Sequence, residues 1–140
     1  LAKWKSLGIL ENNTPANINA VVDYKDTSKP LETRVRSYVD INCAHCHQSG
    51  GYASFFNLKF GFNETSNLTS MGVCVSPNHI VPGMEGRIVK PGNLTQSLLY
   101  YRVTTNDPFY RMPFLGRTIV HDEGVALIAE WINSITECPN

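Results

Sequence analysis

The chain has 140 residues, with 12 basic and 12 acidic side chains and no formal net charge. That balance argues against a nucleic-acid or anionic-membrane surface as its main partner, since both demand a basic excess. The length suits one domain with a sizeable core, no apolar run approaches membrane-spanning length, and no signal peptide is visible. Because the sequence opens on Leu1 rather than methionine, a mature form or a domain cut from a longer protein is expected.

In chain order, Leu1, Trp4, Leu7 and Ile9 or Leu10 recur at a spacing that predicts a short amphipathic helix. From Glu11 to Lys29 the sequence is polar, contains Pro15, and has only the small apolar patch Ala20-Val21-Val22, which predicts an extended surface connection. Residues 1–29 therefore lead into a domain over 30–140. A helix is expected after Ser28 as N-cap, with Pro30 in its first turn and Glu32 near the positive end of its dipole. Leu31, Val35, Tyr38, Val39 and Asn42 share one face, and the helix runs to about Asn42.

That helix delivers Cys43-Ala44-His45-Cys46-His47, a C-x-x-C-H pattern. Two thiols one short turn apart reach two neighbouring vinyl groups on one porphyrin edge, and the next residue then lies under the ring with its imidazole toward the metal. The pattern predicts one covalently attached haem c, with Cys43 and Cys46 as anchors and His47 as proximal iron ligand. A zinc site needs a second close ligand pair, whereas Cys74 and Cys138 stand alone. A thioredoxin-like pair follows a buried strand and opens a helix, whereas here a helix runs into the motif. His45 reads as a solvated spacer.

Between Gln48 and Pro91, Gly50-Gly51, Gly61, Gly72, Pro77, Pro82-Gly83 and Gly86 break the chain into short pieces. An irregular segment wrapping a haem face is expected, with a short strand pair around Phe55 to Phe60 and Arg87 to Val89. Asn93 and Gln96 form a capping-box pattern that opens a helix through Leu94, Leu98, Leu99, Tyr101 and Arg102, ending near Thr104. The loop from Asp107 to Arg117 comes next. A last helix then begins with Asp122 and Glu123, continues through Val125, Leu127, Ile128, Trp131, Ile132 and Ile135, and is ended by Cys138 and Pro139.

Met112 is the expected second axial ligand, since thioether sulfur favours ferrous iron and Pro113, Phe109, Phe114 and Leu115 surround it with stiff or apolar neighbours. Met71 and Met84 lie in the irregular segment and are weaker choices, while His79 and His121 are the alternatives among the histidines. Haem propionates need cationic donors, for which Arg87, Arg102, Arg111 and Arg117 flank the envelope and Arg87, near Lys90, is preferred. With two cysteines given to haem, Cys74 and Cys138 form an even pair, and a disulfide is the economical assignment. Both features point to an oxidising compartment, periplasmic or secreted. The Asn-x-Thr patterns at Asn12, Asn63, Asn67 and Asn93 are read as unmodified surface asparagines.

With these pieces in place, the chain resembles class I cytochrome c, and more closely the mono-haem modules of larger secreted or periplasmic bacterial proteins. The resemblance rests on Tyr38 to His47, Gly72-Val73-Cys74, Ile88 to Asn93 and Ser97 to Arg102. Asp107-Pro108, Met112-Pro113, Leu115-Gly116-Arg117 and Glu123 to Ile128 carry it further. It implies His47 and Met112 as axial ligands in an all-α fold, with first and last helices crossing beside the haem and a long irregular insertion after the attachment motif. The expected function is single-electron transfer between transient redox protein partners outside the cytoplasm, without enzymatic turnover, in a protein that can carry further domains. The alternative is a haem peroxidase or small-ligand sensor with an open or labile distal position, for which His79, His121 and Glu85 are the acid/base candidates.

Overall fold

The computed structural model describes residues 1–11, 20–79 and 81–139. Among them the regular structure is entirely helical: α1 (Ala2–Ser6), α2 (Leu31–Cys43), α3 (Leu98–Thr104) and α4 (Asp122–Ser134). The body of the fold is α2 packed on α4, with α3 lying against α4 as well.

The apolar rows of α2 and α4 face inward. Val35 and Val39 of α2 meet Leu127, Ile128, Trp131 and Ile132 of α4 in one core, all of them nearly or wholly buried. Each such side chain contributes about 2 kcal/mol through the area it removes from water. The crossing is close because residue 124 is glycine: a β-carbon there would run into the ring and hydroxyl of Tyr38. Tyr38 hydrogen-bonds His121 Nδ1 at 2.9 Å, and the two rings stack 5.7 Å apart. Thus the residue before α4 is tied to the middle of α2.

Several helix ends differ from expectation. Ser28 caps nothing in α2, because its hydroxyl and amide both donate to Asp26 Oδ1, at 2.6 and 3.0 Å, in a turn that precedes the helix. Pro30 occupies the N-cap position instead. Asn93 and Gln96 do bond, with the Gln96 amide donating to Asn93 Oδ1 at 3.0 Å, yet they close a turn and α3 starts only at Leu98. The amides of Leu98 and Leu99 donate to Arg87 O and Ile88 O, at 3.0 and 2.9 Å. A neighbouring segment thereby supplies acceptors that an earlier start of the helix would have supplied from within. At the other end α4 stops at Ser134, with Ile135 extended. The short α1 buries none of its residues; Leu1, Trp4, Leu7 and Ile9 are each more than half exposed. Much of the expected surface connection, with Pro15 and the Asn12 pattern, lies outside the described residues.

The long segment after the motif is irregular, as expected, but its strand pairing is different. Residues 55–60 do not pair with 87–89. Instead Val73 and Val89 form one isolated parallel bridge and Arg87 and Ser97 another, so that 87–89 is threaded between the stretches around 73 and 97. The reason is burial. Met71, Val73 and Val89 are fully or almost fully inaccessible and belong to the same core as α2 and α4. Cys74 and Cys138 are joined by a disulfide with their α-carbons 5.8 Å apart, which fastens this segment to the chain beyond α4.

Candidate haem-binding site

The C-x-x-C-H motif forms one turn at the end of α2. The amides of Cys46 and His47 both donate to Cys43 O, at 3.1 and 3.0 Å, so all three side chains leave the same coil. The following chain folds back on it: Ala53 N–H donates to Cys46 O at 3.0 Å, and Phe60 N–H to His47 O at 2.9 Å. Gly51 permits that return, since a β-carbon at this position would strike the Cys46 carbonyl. On the outer face of α2, Asp40 accepts from Phe62 N–H at 2.8 Å. Beside it, Arg36 donates to Phe62 O at 2.7 Å and to the buried Thr65 hydroxyl at 3.0 Å. These bonds hold the segment 60–65 beside the motif.

His47 is half-buried, with the edge of Phe60 5.3 Å away and Phe56 at 6.5 Å. Burial first, then the charges of Lys59, His45 and Arg102, hold its imidazole below the usual histidine range. Neutral imidazole is the form that ligates a metal. Cys43 is pushed up to about 12, chiefly by burial and then by Cys46. An attacking redox thiol requires the opposite shift. Among the described residues no group of three or more His, Cys, Asp and Glu side chains converges as a metal-ion cluster. A closed zinc site needs such a group, whereas a porphyrin brings four of its own iron ligands and asks one or two of the protein.

Met112 is held against the end of α3. Its N–H donates to Arg102 O at 2.8 Å, at the end of α3, and its carbonyl accepts from Arg117 at 2.7 Å. Met112 is half-buried, while Phe109, Phe114 and Leu115 are largely exposed, at 86%, 58% and 73%. Met71, in contrast, is wholly buried in the core and serves as filler.

Two buried side-chain nitrogens have no hydrogen-bond partner among the described residues: His47 Nδ1 and Arg111 Nε. One belongs to the motif and the other adjoins Met112. Buried donors are almost always paired, so Arg111 Nε fits a site completed by a bound group with acceptor oxygens near its edge. The charge of Arg111 also bears on Arg117, and among the described residues neither has a carboxylate partner. The Arg111 cation beside Met112 favours an anionic group such as a propionate. Arg87 sits apart from these bonds; it is exposed and donates to the Ser76 hydroxyl. Arg102 donates to Tyr110 O at 3.0 Å, and burial depresses its guanidinium.

Of the histidines, His45 is exposed, His79 packs edge-on against Phe56 at 5.7 Å, and His121 is taken up by Tyr38. Glu85 is exposed. The chain matches no protein-family model, no curated protein and no solved structure. Among the described residues no helix is long and apolar enough to cross a membrane.

Two features of the site have no local signature in the sequence. Arg111 is one of four candidate arginines there, among which Arg87 is preferred, and only its enclosed, unpaired Nε distinguishes it. The role of Phe60 against His47 depends on a return of the chain across 13 residues that no periodicity announces.

Proposed function

We propose that this chain is a mono-haem c-type cytochrome domain of the class I kind, carrying single electrons between redox proteins outside the cytoplasm. The observation that carries the proposal is the C-x-x-C-H turn at the end of α2, which sets Cys43, Cys46 and a half-buried His47 on one coil. When bound, the haem supplies an iron centre that alternates between ferrous and ferric states.

The protein's own residues divide the remaining work. Cys43 and Cys46 hold the porphyrin edge through thioether bonds. His47 provides the proximal nitrogen, with Phe60 and Phe56 limiting how far its ring can turn. Met112 provides the distal sulfur. With His47 and Met112 both holding the iron, no substrate would bind there, and an unchanged ligand set would limit reorganisation when an electron moves. Arg111 is the favoured propionate donor on its enclosed, unpaired Nε, with Arg102 beside it; Arg87 is the outer candidate. The Cys74–Cys138 disulfide agrees with an oxidising compartment, periplasmic or secreted. Docking is expected to be brief and weakly steered, since the chain has no net charge.

The peroxidase or sensor reading requires an accessible sixth position and a distal acid or base. Cyanide addition to the ferric protein separates the two. A low-spin ferric spectrum with a far-red sulfur-to-iron band, and slow cyanide binding, are the expected results. A high-spin ferric spectrum with rapid cyanide binding would place catalysis or sensing ahead of electron transfer.

A further inference from the structure

The loop that carries Met112 is not held by an apolar underside. Phe109, Phe114, Leu115 and Ile119 are all more than half exposed. Its anchor is polar, and the side chain that reaches most of it is Arg117. Arg117 donates through Nη1 to Met112 O at 2.7 Å and to Arg102 O at 3.0 Å, through Nη2 to Thr105 O at 2.8 Å, and through Nε to Ile119 O at 3.2 Å. Arg102 O also accepts the Met112 N–H at 2.8 Å. Both main-chain polar groups of Met112 are therefore fixed to the end of α3, the N–H directly and the carbonyl through the guanidinium.

This use of an arginine is specific. A planar fork reaches four carbonyls at once, which a lysine ammonium on a flexible stem does not reproduce. Two of those carbonyls, of Arg102 and Thr105, lie at the C-terminal end of α3, where carbonyls lack intrahelical partners and a cation is favoured. The same guanidinium spans the two strands of the loop, since it reaches back five residues to Met112 and forward two to Ile119.

We propose that Arg117 is the positioning residue for Met112, and that its carbonyl clamp sets how firmly the methionine sulfur holds the iron. The inference rests on the reading of Met112 as distal ligand. It goes further by assigning the strength of that bond to a residue that need not touch the haem.

The test uses the haem-loaded full chain and its Arg117→Leu and Arg117→Lys variants, with Arg34→Leu as a control. Arg34 also donates to a carbonyl, Tyr24 O at 2.7 Å, but in a different part of the fold. The readouts are the ferric far-red sulfur-to-iron band, the pH at which it disappears, and the rate of cyanide binding. Loss of a charge-assisted hydrogen bond at Met112 should speed cyanide binding in Arg117→Leu by about tenfold or more. The band should weaken or vanish at a lower pH, Arg117→Lys should fall between, and Arg34→Leu should match the unmodified protein. If Arg117→Leu does not fold, Arg117→Lys carries the test with the same expected direction. A variant with the unmodified band, pH midpoint and cyanide rate would overturn the clamp, as would an equal change in Arg34→Leu. Absence of the band from the unmodified protein is a different failure: it overturns the Met112 reading itself, and the clamp with it.

Discussion

The two segments proposed to hold the iron are built on different principles. The His47 side is an extension of a helix: α2 ends in the motif, main-chain bonds close the turn, and Ala44, Ala53 and Phe60 bury themselves around it. The Met112 side has no helix of its own and exposes most of its large apolar side chains, so its shape depends on bonds to carbonyls from Arg117 and Arg102. A ligand placed by a packed helix shares the stability of the core. A ligand placed by a clamp is held by a few bonds that can be altered singly. Changes to the frame should therefore appear as lost stability with ligation intact, and changes to the clamp as altered ligation with stability largely kept.

The largest effect on the frame should come from Cys138→Ser, which opens a loop of 64 residues. Loop-closure entropy predicts a loss of about 4 kcal/mol in unfolding free energy by denaturant titration. The far-red band should survive in the folded fraction. A loss under 1 kcal/mol would mean that the segment 48–97 is held by its buried Met71, Val73 and Val89 without the bridge. Gly124→Ala should cost about 1–3 kcal/mol, because the new methyl meets the Tyr38 ring and overpacking forces α2 and α4 apart. Its thermal midpoint should fall while the pH at which the far-red band is lost stays constant. Asp40→Ala removes the acceptor for the Phe62 N–H and should cost about 1–2 kcal/mol. It is also the sharpest test of the first segment, for faster amide exchange is expected at Phe62 with little change at Met112.

The smallest effect is a pH dependence at Glu123. Hydrogen bonds from Lys25 first and Tyr24 next hold its carboxyl below the usual carboxylate range. Because the folded value is the lower one, the stabilisation is present in full above the ordinary carboxylate range. It is lost as pH falls through the depressed value. Melting midpoints of the unmodified protein and Glu123→Gln should thus differ slightly near neutrality and converge in acid. Since the pair is solvent-exposed, added salt should shrink even the neutral-pH difference. A gap that widens on acidification would reverse the assigned sign.

How far the sequence specified these regions follows the same division. Rows at helical spacing marked α2 and α4, and the placement of Asp122 and Glu123 marked where α4 begins, because burial of one face imposes a period that sequence records directly. The turn at Cys43–His47 was legible because it is local. The disulfide was inferred from counting cysteines, without geometry. The start of α3 was not legible, since the amides of Leu98 and Leu99 find acceptors at Arg87 and Ile88, a decision made by another segment. Likewise the pairing of Val73 with Val89 depends on which β-branched residues the core can reach, and Arg111 and Arg117 differ only in what surrounds them. Long-range partners leave no period and no spacing to read.

The most direct test of the central claim is the covalent bond itself. The chain should be produced in an oxidising compartment of a host with haem-attachment machinery and then denatured. The intact mass of the unmodified protein should exceed that of the polypeptide by one haem, with the colour retained in denaturant. In the Cys43→Ser/Cys46→Ser double variant both mass increment and retained colour should be absent. An unmodified chain that carries no covalent haem, or a double variant that still carries one, would contradict the account.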